Sequence, residues 1–260
     1  MKNISERNEK SCMSSVSATR EERVLNTTDV EKLRSLLLKN RPVFERFHIP
    51  INGDDLYNLL TAAVQKEIFS RFGYPVKDID QDAIIRGIAE YLSADYRYGK
   101  VSSVCSPEEL DVSFGILMTG QPGGGKSSII AAIRRIISML EMRDPSAPST
   151  EIRELCLPVF TASDIARIFT TDSEAYDRIT KKYALAIDDV GTEPMELLVY
   201  GNVYSPVKEL MYRRYNDSAF TIISTNLNGE EFIDKYGSRI GDRIREMFRV
   251  FRFPDKTFRG

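Results

Sequence analysis

The stretch GQPGGGKSS, residues 120–128, constrains the fold of this chain more than any other feature. It follows the apolar run FGILM at 114–118, and apolar residues recur at helical spacing from Ile129 onward. Gly, four residues and then Gly-Lys-Ser is the pattern of a phosphate-binding loop between a strand and a helix. The glycines let backbone N–H groups curl around phosphates, and the helix start adds partial positive charge. The sequence therefore predicts a nucleotide site in an α/β fold.

The side chains of this loop have separate predicted tasks. Lys126 is expected to bridge the β- and γ-phosphates, and the Ser127 hydroxyl to coordinate Mg²⁺, so ATP and Mg²⁺ are the expected cofactors. The predicted nucleotide-binding residues are Gly120, Gln121, Pro122, Gly123, Gly124, Gly125, Lys126, Ser127 and Ser128.

Polar residues end two further apolar runs. YALAIDDVG at 183–191 supplies Asp188, which should hold Mg²⁺ directly or through water, and Asp189, which can orient or deprotonate an attacking water. FTIISTN at 220–226 places Asn226 where ligands sit in open α/β sheets, at the carboxyl end of a strand. An Asn there can hold a water against the γ-phosphate, although Asn after a strand is also a common turn former.

Five apolar runs alternate with helical patterns from about residue 112 onward, which predicts a parallel sheet flanked by helices. The predicted strands are 114–118, 155–161, 183–187, 220–224 and 249–253. Pro158 cannot donate a ladder hydrogen bond, so the second strand should lie at an edge of the sheet.

The first part of the chain has a different character. Residues 1–28 are polar and predict a flexible tail. Residues 29–80 predict a small helical module that binds a partner, and 81–260 the ATPase domain. Helices are predicted from 29, from a cap at Asp54 or Asp55 to Gly73, and from Asp82 into the low nineties.

Bulk properties exclude several classes of protein. The net charge of −2 argues against binding through bulk positive charge, and no apolar run approaches the roughly 18 residues that cross a bilayer. The N-terminus has no apolar segment typical of a secretory signal, so a cytoplasmic protein without membrane contact is expected. The three cysteines fit reduced thiols, and the single His48 has no ligand set for a metal.

Four motifs together resemble the AAA+ ATPases of the DnaC/IstB clade, which are helicase loaders and transposition helper ATPases. They are GILMTGQPGGGKSS, ALAIDDVG, STNLNGEEF and YGSRIGDRIREMF, and the resemblance covers residues 82–258. It implies a five-stranded sheet whose sensor strand lies between the Walker A and Walker B strands. It also implies that Asp188 is the metal-binding aspartate, Asp189 the catalytic acid and Asn226 the sensor.

The same resemblance implies a composite site. Arg243 is similar to the arginine finger that acts on a neighbouring subunit's nucleotide, with Arg239 as the second candidate. A finger requires a neighbour, so the resemblance implies homo-oligomers in the ATP state that grip single-stranded DNA. Only about seven residues follow the last predicted strand, which leaves no full C-terminal helical lid.

The partner and the reaction class have alternatives. The N-terminal hundred residues match no known motif, so the partner can be a replicative helicase, as for a loader, or a transposase, as for a helper. A small-molecule kinase would use the same phosphate loop but would not need two aspartates aimed at water. A guanine-dependent switch is disfavoured because no Asn-Lys-x-Asp stretch is present.

Overall fold

The computed structural model describes residues 30–32, 34, 47–73, 82–96, 113–199 and 201–254. The chain divides into two compact units, residues 1–44 and 45–260. In the first unit the described residues are helical, whereas the predicted tail at 1–28 and the rest of the first predicted helix lie outside the described residues. The second unit contains the sheet and the helices around it.

The described helices of the second unit are α1 (Gly53–Phe72), α2 (Asp82–Leu92), α3 (Lys126–Met139), α4 (Ala162–Thr171), α5 (Ser173–Thr180), α6 (Pro206–Asn216), α7 (Gly229–Tyr236) and α8 (Ser238–Met247). The strands are β1 (Gly115–Thr119), β2 (Val159–Thr161), β3 (Ala184–Val190), β4 (Leu197–Val199), β5 (Asn202–Tyr204), β6 (Phe220–Thr225) and β7 (Phe248–Arg252).

Five of the strands form one parallel sheet in the order β2-β3-β6-β1-β7. This confirms the predicted five-stranded sheet and places β6 between β1 and β3, as the resemblance to AAA+ ATPases implies. The edge position of β2 is also confirmed. Pro158 precedes this strand and contributes only its carbonyl, which accepts a hydrogen bond from Ala186 N at 2.9 Å.

A short antiparallel hairpin of β4 and β5 follows the strand that carries the aspartates. The sequence did not predict it, since each strand has only three residues and Leu198 and Val203 on them are largely exposed. Strands of this length have too few alternating residues to produce a pattern. The hairpin connects the functional end of β3 to α6.

The sheet has an apolar core on each face. Helices α1, α2 and α3 supply the buried residues of one core, and α4 to α8 supply those of the other. The fold is therefore a three-layer α/β/α arrangement, which buries both faces of a parallel sheet. No helix within the described ranges combines the length and apolar character needed to cross a membrane.

Helix α1 belongs to the same compact unit as the sheet, although the sequence placed residues 29–80 in a separate module. Its buried residues enter the core beneath α3, and Glu67 forms a 2.5 Å ion pair with Arg135 of that helix. The two compact units of the structure divide at 44/45, and the partner-binding role of residues 29–80 stays a prediction. The predicted end of the helix at Gly73 is confirmed, with φ at 74°.

The predicted start of this helix was wrong by a short distance. Asn52 is the N-cap, and its Oδ1 accepts a 2.9 Å hydrogen bond from Asp55 N. Asp54 and Asp55 instead lie in the first turn, where negative charge complements the helix dipole. Asn and Asp are nearly equal as N-caps, so Asn52, Asp54 and Asp55 within four residues leave the exact start open in the sequence.

Candidate active site

The phosphate loop is shaped by glycines that no larger residue could replace. Gly123 and Gly125 have φ of 89° and 88°, in the left-handed region that favours Gly. A Cβ on Gly120 would lie 2.8 Å from the Cβ and carbonyl oxygen of Phe253, which follows the edge strand β7. Because α3 begins directly after the loop, its first backbone N–H groups are available to an anion. The loop is thus built to cradle phosphate.

Lys126 joins the loop to the neighbouring strand. Its buried Nζ donates hydrogen bonds to the carbonyl oxygens of Gly120 and Gln121, at 2.6 and 2.9 Å, and to Asn226 Oδ1 at 2.9 Å. Burial lowers the pKa of this amine, while the charges of Asp189 and Asp188 oppose that shift. An ammonium group held in this way is ready to meet phosphate oxygens at the same edge of the sheet.

Ser127 and Asp188 meet where a magnesium ion would be expected. Ser127 Oγ donates to Asp188 Oδ1 at 3.2 Å, and the Ser224 hydroxyl donates to the same carboxylate oxygen. Hydroxyl and carboxylate oxygens are ligands that Mg²⁺ accepts, and Mg²⁺ usually takes few protein ligands and keeps several waters. One hydroxyl and one carboxylate fit that habit. The described residues contain no group of three His, Cys, Asp or Glu that could hold a metal.

Asp189 has an unusual backbone for a strand residue. Its φ is 54°, and the register between β3 and β6 shifts between Ile187 and Val190. The Asp189 N–H donates to Ser224 Oγ at 2.9 Å, and the Thr192 side chain donates to its carbonyl oxygen at 2.8 Å. The shift turns the second aspartate of the pair into the phosphate pocket, which it lines together with Asn226.

The tip of β6 is fixed from both sides. Thr225 Oγ1 donates to the carbonyl oxygen of Val190 at 2.6 Å and accepts from Leu227 N at 3.1 Å. These bonds orient the chain so that Asn226 reaches Lys126 instead of forming a turn. The structure thus places the Asn226 amide beside Lys126, and its role as a sensor stays a prediction.

The two candidate fingers have different surroundings. Arg243 is half-buried, and its guanidinium carbon lies 4.5 Å from the ring centre of Tyr212 and 5.0 Å from that of Tyr215. Arg239, one turn earlier on α8, is exposed and makes no ion pair with another described residue. Neither arginine lines the phosphate pocket of its own chain.

A buried carboxylate connects the site to α7, the helix that directly precedes the one that carries these arginines. Glu193 is 4% exposed. Its carboxylate accepts a 2.9 Å hydrogen bond from Gly191 N and another from the hydroxyl of Tyr236 on α7. Lys235 donates to the carbonyl oxygens of Gly191 and Glu193 at 2.7 and 2.8 Å. The segment after Asp189 is therefore tied to the start of α8.

Sequence reasoning missed Ser224, Glu193 and two residues of α1. Ile68 and Arg71 line the phosphate pocket beside the predicted loop residues. Ser224 lies inside a predicted strand, and α1 was placed in another module, so no local pattern marked them. The burial of Ser224, two residues before Asn226, is visible only in the structure.

Comparisons with known proteins return structures only. No family model and no curated protein matches the chain. Similar solved structures include the DnaC helicase loader, 19% identical with a TM-score of 0.46, over 70% of this chain and 95% of that one. DnaI is 16% identical with a TM-score of 0.45, over 70% and 89%. AMPPCP-bound DnaA from Aquifex aeolicus is 14% identical with a TM-score of 0.43, over 69% and 48%. The likeness to these proteins is one of fold.

Proposed function

We propose that this protein is a magnesium-dependent ATPase of the helicase-loader type, which hydrolyses ATP at the interfaces between its subunits and binds single-stranded DNA. The observation that carries the proposal is the meeting of three strand ends at one edge of the sheet. There the loop after β1 holds Lys126, β3 holds Asp188 and Asp189, and β6 presents Asn226. This set has a group for each task in ATP hydrolysis.

The position of each residue in the site suggests its part in ATP hydrolysis. Lys126 and the N–H groups at the start of α3 bind the phosphate chain and balance its charge. Ser127 and Asp188 would hold Mg²⁺, which supplies positive charge to the β- and γ-phosphates. Asp189 orients a water whose oxygen bonds to the γ-phosphorus as the bond from that phosphorus to the β–γ bridging oxygen breaks. ADP leaves with that electron pair, and the proton of the water passes through Asp189 to solvent.

A neighbouring copy supplies additional positive charge in this proposal. Transition states of phosphoryl transfer gain strongly from an arginine at the γ-phosphate, and no arginine of α8 lines the pocket of its own chain. Arg239 is the better candidate, because Arg243 is already engaged with Tyr212 and Tyr215. This reverses the order of preference that the sequence motif suggested.

Steady-state ATP hydrolysis against protein concentration, with and without single-stranded DNA, tests the proposal. Turnover per subunit should rise with concentration and increase further with DNA, and Lys126→Ala should remove it at every concentration. Turnover that is independent of concentration and of DNA would contradict composite sites and favour a self-contained phosphotransferase.

The choice between partners needs a separate experiment. The full-length chain, immobilised with ATP, is expected to retain a purified hexameric replicative helicase through the N-terminal part of the chain. Retention of a transposase instead would assign the protein to the transposition helpers and leave the ATPase chemistry unchanged.

A further inference from the structure

The last turn of α1 brings an arginine to the phosphate pocket. The buried face of α1 follows a helical stripe from Leu56 through Leu60 and Val64 to Ile68. One further turn on the same face is position 71, since residues three and four apart are neighbours on a helix. That position holds Arg71, and the apolar Phe72 follows it four residues beyond Ile68.

The orientation of this face is fixed by neighbouring contacts. Glu67 pairs with Arg135 of α3 at 2.5 Å, and Ile68 is only 1% exposed. Arg71 lies one turn beyond Glu67 and lines the phosphate pocket together with the glycines of the loop, Asp189 and Asn226. It also lines the adjoining groove beside Ser127 and Asp188.

Arg71 has no other task in the described part of the chain. It is exposed and makes no hydrogen bond or ion pair with another described residue. A basic residue in a last helical turn does complement the helix dipole, but that effect requires no particular direction of the side chain. A guanidinium beside a phosphate loop has five N–H donors that match phosphate oxygens.

We infer that Arg71 is a further nucleotide-binding residue, which contacts the phosphate chain of ATP from α1. The inference rests on the proposed function, because it assumes that ATP occupies the loop. It also gives α1 a part in nucleotide binding, although the sequence assigns this helix to a partner-binding segment. Because coupling between two events is reciprocal, bound ATP then stabilises α1 against α3, and a firmly packed α1 raises the affinity for ATP.

Equilibrium binding of Mg·ATP and of inorganic tripolyphosphate to the full-length protein tests this inference. Arg71→Ala should weaken both by about tenfold, the range of a charge-assisted hydrogen bond that remains open to solvent. Arg71→Glu should weaken both further. Loss of ATP binding with unchanged tripolyphosphate binding would overturn the assignment to phosphate.

Arg134 is the matched control. It is an exposed arginine that lines only the adjoining groove, so Arg134→Ala and Arg134→Glu make the same changes in net charge. Both should keep ATP affinity within about twofold of wild type, since Arg134 does not line the phosphate pocket and an exposed charge without a direct contact is screened by salt. Equal losses at both positions would show a general charge effect and would overturn the inference.

Two further measurements separate this inference from the proposed function. Lys126→Ala must abolish ATP binding; if it does not, the nucleotide site itself fails and Arg71 with it. If Lys126→Ala abolishes binding while Arg71→Ala does not weaken it, only the inference about Arg71 is wrong. Backbone hydrogen exchange over residues 65–72 should slow when ATP is added to wild type and to Arg134→Glu, but not to Arg71→Glu. Unchanged exchange in wild type would contradict the predicted coupling.

Discussion

Asn226 Oδ1 accepts a 2.9 Å hydrogen bond from Lys126 Nζ, although the two residues lie 100 positions apart in the chain. The bond holds the amide at the carboxyl end of β6, next to the loop that follows β1. An amide fixed in advance can align a water or a phosphate oxygen without reorganising during the reaction. Under the proposed function, we therefore expect Asn226 to act in the chemical step more than in the binding of ATP.

Asn226→Ala should lower kcat by about 100-fold, as for removal of one preorganised polar group, while ATP affinity changes little. Asn228→Ala is the matched control. Asn228 caps α7 by accepting from Glu230 N and Glu231 N, so its loss should cost about 1 kcal/mol of unfolding free energy and leave kcat unchanged. Single-turnover hydrolysis and urea denaturation measure the two effects, and equal loss of kcat in both variants would remove the special role of Asn226.

Two substitutions of Asp189 should separate its role in hydrolysis from the strain of its left-handed backbone. Asp189→Asn should lower hydrolysis by about 100-fold or more through loss of the base, and should keep stability because Asn tolerates a positive φ. Asp189→Ala should lose activity equally and also about 1 kcal/mol of stability, because Ala keeps the Cβ that crowds the carbonyl but lacks the short polar side chain that can hydrogen-bond locally in this conformation. Hydrolysis rates and urea denaturation of both variants test this; equal stability of the two would mean that the left-handed backbone carries no cost.

The affinity for ATP should depend on pH in the alkaline range, because Lys126 titrates there. Burial lowers the pKa of its amine below the usual 10.5, against the opposing charges of Asp189 and Asp188. Bound phosphate adds negative charge, favours the ammonium form and so raises this pKa. ATP binding should therefore take up protons as pH rises toward the pKa of the free protein, and affinity should fall above it.

Calorimetry of ATP binding in two buffers of different ionisation enthalpy measures this proton uptake. Lys126→Arg is the control, because a guanidinium keeps its proton over the same pH range. Equal uptake in the two proteins would assign the titration to another group.

The sequence predicts the part of the site that lies in continuous motifs. The loop at 120–128, the aspartates after β3 and Asn226 after β6 are each local patterns, and the rule for parallel strands brings their ends together. The sheet order needed the resemblance as well, since strand neighbours do not follow from apolar runs alone.

The residues that could not be predicted act through tertiary contacts. Ser224 supports both aspartates from the neighbouring strand, and Glu193 is buried by pairing with Tyr236, 43 positions away. Helix α1 buries Leu56, Leu60, Val64 and Ile68 but exposes Leu59 and Phe69, so its sequence does not show which face is covered or by what. Only its packing against α3 brings Arg71 to the site.

The start of α8 lies at the same edge of the sheet as the phosphate loop. Helix α8 ends at Met247, directly before β7, which pairs in parallel with β1. The carbonyl oxygen of Met247 accepts a hydrogen bond from Phe114 N, at the edge of the sheet opposite to the phosphate loop. The bond between Tyr236 and Glu193 fixes the helix start beside the segment that follows Asp189. Arg239 is thus nearer than Arg243 to the nucleotide edge by about 6 Å of helical rise.

Arg239→Ala should retain ATP binding and lose about 1,000-fold in kcat, the effect expected for a finger supplied by a neighbour. Mixing it with Lys126→Ala subunits should restore part of the turnover, because each chain then provides what the other lacks.

Arg243→Ala should instead lose about 1 kcal/mol of stability, because its contacts with Tyr212 and Tyr215 are lost, and should keep most of its turnover. Arg245→Ala, an exposed arginine on the same helix, should leave both quantities unchanged. If mixing rescues Arg243→Ala but not Arg239→Ala, the assignment of the two arginines is reversed, and the tyrosines would serve to aim the finger.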